Sequence, residues 1–236
     1  MAAGTLETGN PADAGELRHH AREFGYVYCP GLLAAASLLP LRKLATKALC
    51  DAGWGAERAG YCVMAATPDD PDLTAIQPRI QSSTPFTALR RDPSILALLG
   101  VLLGTTPHEG WGDVFRVGFP DTPDWTTPPH QDRSYLHCPE RVWTVWVPLV
   151  DCPRNLGPLA VLHGSHKRGL QAHQHSGPRG QALGTLPGDW RSADFSVGDV
   201  CLFEDQTIHR ALPNRTTDRL RLSVDFRFSS MPVPSG

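Results

Sequence analysis

The stretch "PPHQDRSYLHCPERVWTVWVPL", residues 128–149, sets His130 and Asp132 just ahead of a run that alternates as a β-strand does. Side chains two apart on a strand share a face, so extended backbone here turns His130 and Asp132 towards one point and Gln131 away from it. An imidazole and a carboxylate so placed chelate a cation. Two ligands hold a metal weakly, and a third has to come from a distant strand. The best candidate is His209 in "CLFEDQTIHRALPN", at the end of an extended run and ahead of a turn-rich one. Two imidazoles and one carboxylate occupy one face of an octahedral ferrous ion and leave three positions open. A structural zinc site, by contrast, closes its coordination sphere and usually employs thiolates.

Other histidines fit this pattern less well. His163 and His166 in "HGSHKRG" sit among Gly and Ser suited to a tight loop and are read as structural. His137 lies at odd spacing from His130 and faces the opposite way if the strand continues.

The last strand offers a second kind of group. In "RLRLSVDFRF", Leu220, Leu222, Val224, Phe226 and Phe228 alternate with Arg219, Arg221, Ser223, Asp225 and Arg227. The polar row reads either as a solvated outer face or as a row that points one Arg into a cavity beside His209. In a cavity, the planar guanidinium fork holds a carboxylate bidentately. Parity leaves all three arginines eligible.

The elements that must position these groups follow from periodicity. Residues 15–54 read as helical with a strand-like interruption at "YVYCPGLL", and Pro40 falls near the start of the second helix. Asp92 and Pro93 form a cap and first-turn proline for a further helix. After about residue 110 short strands take over: "DVFRVGF", "VWTVWVPLV", "LAVLHGS", "DFSVGDVCLFE", "TIHRAL" and "LRLSVDFRF". Helices first and strands afterwards predict a mainly β fold with flanking α-helices, an antiparallel sandwich or barrel. The expected organisation is a disordered tail over 1–14 and a single domain over 15–236, helical to about 105 and β from about 106 to 230. Residues 171–194 show no pattern and are longer than the ~12–15 residues usual for structureless loops, so they read as a lid or a floppy insert.

Composition bounds the rest. The 236 residues are 41% hydrophobic, enough for a sizeable core, and 22 basic against 24 acidic residues give a net charge of -2. That balance lacks the basic footprint of a nucleic-acid binder. The most apolar run, "ILALLGVLLG", is about half the ~20 residues a membrane-spanning helix needs, so membrane insertion is not expected. The first residues lack the apolar core of a secretory signal. Six scattered cysteines read as reduced thiols, which points to the cytoplasm.

With these residues in view, the chain resembles the phytanoyl-CoA dioxygenase family of Fe(II)- and 2-oxoglutarate-dependent oxygenases. The resemblance runs from "EFGYVYCPGLL" to "LRLSVDFRF" and is most specific at "HQD", "NLGPLAVLHGSHKRG", "GDVCLFEDQTIHRALPN" and the closing arginines. It implies a double-stranded β-helix, the jelly-roll or cupin-like core, with His130, Asp132 and His209 on iron and 2-oxoglutarate and then O2 at the open positions. It also implies an arginine on the distal carboxylate of 2-oxoglutarate, a role open to Arg219 and Arg221, with the count to Phe228 favouring Arg221. Arg116 is positioned to reach cosubstrate or substrate, Trp146 and Tyr135 to wall the pocket, and Asn214 to shape the turn after His209. The implied reaction is hydroxylation of a C–H bond in a small-molecule metabolite, with release of succinate and CO2. Relatives that halogenate leave the carboxylate position vacant for chloride, and here Asp132 fills it, so hydroxylation, or a desaturation or ring-forming variant, is expected over halogenation. Two other readings stay open: a non-redox metalloenzyme on the same barrel, and a binding module without turnover. Neither substrate identity nor oligomeric state is written in these residues.

Overall fold

Strands that alternate in the sequence stack here as two facing sheets, with helices covering the outer face of the larger one. The computed structural model describes residues 3–59, 61–65, 73, 75–110, 112–122, 125–136, 140–175 and 181–232. In chain order the elements are β1 (Gly4–Thr5), α1 (Ala14–Phe24), β2 (Tyr26–Cys29), α2 (Ala35–Asp51), β3 (Gly55–Arg58), β4 (Tyr61–Met64), α3 (Ile76–Gln81), α4 (Thr84–Arg90) and α5 (Pro93–Leu103). There follow β5 (His108–Glu109), β6 (Val114–Gly118), β7 (Val142–Pro148), β8 (Leu159–Leu162), β9 (Gln174–His175), β10 (Gln181–Ala182), β11 (Trp190–Ser192), β12 (Val200–Glu204), β13 (His209–Ala211) and β14 (Arg221–Ser229). The larger sheet has the order β2-β12-β7-β14-β5, with β6 also paired to β14; the smaller has the order β1-β11-β8-β13. Together they make the expected double-stranded β-helix core, open at its edges and not closed into a barrel.

Helix ends follow local chemistry. Asp13 caps α1 by accepting from the Gly15 and Glu16 amides, and Gly25 ends it at φ +79, a conformation that glycine adopts without steric cost. Asp92 caps α5 by accepting from the Ser94 amide, with Pro93 in the first turn. Pro40 differs from expectation, because α2 begins at Ala35 and places it inside the helix. The carbonyl it leaves without a donor belongs to the first turn of α2, where Ala36 is exposed to water.

Parity sorts the larger sheet into two faces. Val27, Cys29, Val145, Val147, Val200, Leu202 and the apolar row of β14 join the helices in one core. Tyr26, Tyr28, Trp146, Cys201 and Phe203 point the other way and meet Leu159, Val161 and Phe195 of the opposite side. Phe226 meets Phe86 of α4 edge-on at 4.9 Å. Each such fully buried side chain contributes roughly 1.5–3 kcal/mol, which commits the apolar row of β14 to the helices and sends its polar row between the sheets.

Two expectations are corrected here. Residues 3–13, expected as a disordered tail, lie along the sandwich: β1 pairs in parallel with β11, Thr8 bridges Tyr28, and Arg154 donates to the carbonyls of Ala3 and Gly4. The 171–194 segment is not structureless either, because β11 is an integral strand paired with β8, and β9 and β10 form a hairpin; residues 176–180 lie outside the described residues. Among the described residues, no helix is long and apolar enough to cross a membrane.

Candidate metal centre

His130 and His209 form an isolated antiparallel bridge between the loop before β7 and the start of β13. Asp132 opens a short 3-10 turn, Asp132–Ser134. The convergence of His130 and Asp132 therefore comes from a bridge followed by a turn, not from neighbouring positions on one strand as expected. One ligand atom from each of the three residues lies within 4.8 Å of the others, and all three side chains are buried. Oδ1 of Asp132 is 3.5 Å from Nε2 of His130 and 3.7 Å from Nε2 of His209.

The remaining polar atoms of the trio are tied back to the protein. Nδ1 of His130 lies 2.9 Å from the Pro128 carbonyl and Nδ1 of His209 lies 3.0 Å from that of Thr207. A carbonyl only accepts, so each Nδ1 carries the proton and each Nε2 presents its lone pair to the centre. Burial pushes His209 down to about 3, so its ring is neutral at physiological pH. Burial alone would raise Asp132, but Arg227, His209 and His130 outweigh it and hold the carboxyl well below the usual range. Two lone pairs and a carboxylate oxygen, gathered in a buried pocket, fit the donor set of a ferrous ion.

Gln131 points away from the centre, as expected, and is fully buried in a role of its own. Its amide donates to the carbonyls of Gly169 and Gln206 and accepts from the Gln171 amide. With Leu183 N–H on Pro129 O, these bonds fasten both flanks of the β9–β10 hairpin beside the metal loop.

A small cavity opens next to the trio, lined by Arg116, Trp146, Leu159 and Arg221 together with His130 and His209. Arg221 is buried and donates to Ser223 Oγ at 2.6 Å. Arg219 precedes β14, is exposed, and lies over the ring of Tyr61 at 4.6 Å. Arg116 is ion-paired with Asp225 and borders both this cavity and a second, larger cleft, which Tyr135, Leu136, Asp132 and Arg227 also line. Trp146 is buried against Phe195 at 4.7 Å while bordering the first cavity. Asn214 holds its turn by donating to the carbonyls of Gly118 and Arg219. His163 packs on Phe24, and His166 bonds the Arg22 carbonyl; neither is in the metal cluster. His137 lies outside the described residues.

Thr144 is a site residue that the sequence reading passes over, and Arg227, one of its three eligible arginines, takes a role on Asp132 that it does not foresee. Thr144 donates to Oδ2 of Asp132 at 2.6 Å, and Arg227 donates to the same oxygen through Nε at 3.3 Å and Nη2 at 3.1 Å. The available signals are the lone polar side chain in "VWTVWVP" and the parity that Arg227 shares with Arg221.

A jelly-roll of two facing sheets that buries two imidazoles and one carboxylate beside an arginine-lined cavity defines the class of non-haem iron oxygenase folds. More narrowly, the chain belongs to the phytanoyl-CoA dioxygenase (PhyH) family, whose model matches residues 21–222. A 1-deoxypentalenic acid 11-beta-hydroxylase of Streptomyces arenae is 34% identical over 117 residues, which are 44% of this chain and 41% of the relative. The match thus spans less than half of that relative's length. Among solved structures, EvdO2 from Micromonospora carbonacea var. aurantiaca, complexed with 2-oxoglutarate, superposes with a TM-score of 0.67 at 18% identity, covering 100% of this chain and 95% of the other. The epimerase SnoN, in complex with Fe3+, alpha ketoglutarate and nogalamycin RO, gives 0.66 at 24% identity, covering 93% and 84%. These structural likenesses speak for the fold.

Proposed function

We propose that this chain is an Fe(II)- and 2-oxoglutarate-dependent oxygenase that hydroxylates a C–H bond of a small-molecule metabolite. The observation that carries the reading is the meeting of His130, Asp132 and His209, with Arg221 buried in the cavity they border. Family membership and a hydroxylase among the relatives support it.

In this reading Nε2 of His130, Nε2 of His209 and Oδ1 of Asp132 hold the iron. When bound, iron with 2-oxoglutarate and O2 supplies the oxidation: one oxygen atom enters the substrate as a hydroxyl, the other enters succinate, and CO2 is released. The protein's own part is placement. Arg221 takes the distal carboxylate of 2-oxoglutarate in its guanidinium fork, far enough inside the sandwich that water does not compete. Trp146, Leu159 and Phe203 wall that cavity and keep it dry. Substrate enters by the cleft that Tyr135 and Leu136 line. Asp132 retains the carboxylate that a chloride-binding site lacks, which favours hydroxylation over halogenation. A cytoplasmic location fits Cys29, Cys62, Cys152 and Cys201, which are buried as free thiols.

Succinate release in the presence of ferrous ion, 2-oxoglutarate, ascorbate and a metabolite panel tests the reading, run under air and under nitrogen. Succinate formed only under air, and lost in His209→Ala, is the expected result. Substrate conversion that continues under nitrogen would instead establish a non-redox metalloenzyme, and binding of iron and 2-oxoglutarate without succinate a module that does not turn over.

A further inference from the structure

The two oxygens of Asp132 have different surroundings. Oδ1 faces the Nε2 atoms of His130 and His209. Oδ2 receives Thr144 Oγ1 at 2.6 Å and two nitrogens of Arg227 at 3.1 and 3.3 Å. Both donors come from one cross-strand pair, since Arg227 of β14 stands opposite Thr144 of β7 in the register. Residues directly opposite on one face bring their side chains together, so a single rung of the sheet delivers a hydroxyl and a guanidinium to the same oxygen.

A carboxylate binds a cation through one oxygen or through both. Which mode it adopts depends on what else holds it. Here three donor atoms compete for Oδ2, and charge-assisted bonds of this kind are roughly twice as strong as neutral ones. We propose that Thr144 and Arg227 are positioning residues that fix Asp132 as a one-oxygen ligand and so keep a coordination position free for 2-oxoglutarate. The inference rests on the reading of the trio as an iron site. Neither residue touches iron or substrate in this role; both act through Asp132.

The consequence separates two affinities that a merely structural role would move together. With its second oxygen released, Asp132 turns that oxygen to the metal, which adds a ligand for the cation and removes a place for the keto acid. Arg227→Met also removes a positive charge near the cation, which works in the same direction. Metal binding then stays level or tightens while 2-oxoglutarate binding weakens.

The test is anaerobic calorimetry on the full chain: ferrous ion titrated into apoprotein, then 2-oxoglutarate titrated into the iron-loaded protein. The variants are Thr144→Val, which keeps the side-chain shape and protects the test against a folding failure in the other variant, Arg227→Met, and Thr144→Ser as the rescue. Expected is ferrous affinity equal to or tighter than wild type in Thr144→Val and Arg227→Met. Their 2-oxoglutarate affinity should fall by roughly tenfold, a difference of about 1.4 kcal/mol, whereas Thr144→Ser should bind the keto acid as the wild type does. If both affinities fall together, or neither moves, the positioning role is overturned while the iron site stands. A wild-type chain that binds no ferrous ion or no 2-oxoglutarate removes the iron-site reading and this inference with it.

Discussion

His130 and His209 exchange backbone hydrogen bonds in both directions, each amide donating to the other's carbonyl at 3.0 Å. Their ring centroids lie 4.1 Å apart. The spacing of the two imidazoles is thus set by main chain that any residue can supply, whereas Asp132 is held by its side-chain carboxylate.

That difference predicts unequal costs among the ligand substitutions. His209→Ala should lose metal binding with a stability loss in the ordinary range of about 0.5–3 kcal/mol. Asp132→Ala leaves the buried Arg227 without its partner, and breaking a buried pair costs about 3–5 kcal/mol. Urea denaturation of the two metal-free variants measures the gap; equal stabilities would mean that Arg227 finds another counter-ion in Asp113 or Asp225.

Arg221→Ala should raise the 2-oxoglutarate concentration needed for half-maximal succinate release far more than Arg219→Ala. The first lines the cavity and the second is stacked outside on Tyr61. The reverse ranking would transfer the carboxylate-binding role to Arg219.

Gly118 tests the same contact without touching a charge. A Cβ there would lie 2.8 Å from Nε and 3.2 Å from Nη2 of Arg221. Gly118→Ala should therefore displace the guanidinium and weaken 2-oxoglutarate binding by several-fold, with thermal stability little changed because a flexible side chain gives way. Calorimetric titration of the keto acid, beside a melting curve, checks both halves.

Asp205 makes stability depend on pH. Burial pushes its carboxyl up to about 6, against the Arg133 charge and the Val142 amide, which pull it down. Oδ1 has no hydrogen-bond partner among the described residues. A raised folded value means that the contribution is fully present below the unfolded value near 4 and is lost as pH rises through 6. At ~1.4 kcal/mol per pKa unit the loss is up to about 3 kcal/mol by neutral pH. Asp205→Asn should escape it, standing more stable than wild type at pH 7.5 with the margin shrinking towards pH 4. Denaturation curves at four or five pH values decide this, and a pH-independent margin would show that Asp205 titrates normally.

The sequence on its own determined the local chemistry: which residues bind cations, which segments alternate, and where Asp92 and Pro93 start a helix. Those properties depend on neighbours along the chain, so periodicity and residue type suffice to read them. The tertiary structure decided what depends on partners far away. Parity gave β14 a polar and an apolar row but left open which was outermost; helices packed on Phe226 and its row turned Arg221, Asp225 and Arg227 inward. Arg219 and Arg221 share that parity, and only the start of β14 at Arg221 separates a buried guanidinium from one stacked on the surface. Strand β11, within 171–194, has no periodic signal because three residues are too few to show one, and its pairing with β8 is what makes it a strand. Thr144 became part of the site for the same reason: its hydroxyl meets Asp132 across space, and burial against a distant carboxylate leaves no trace in the order of residues.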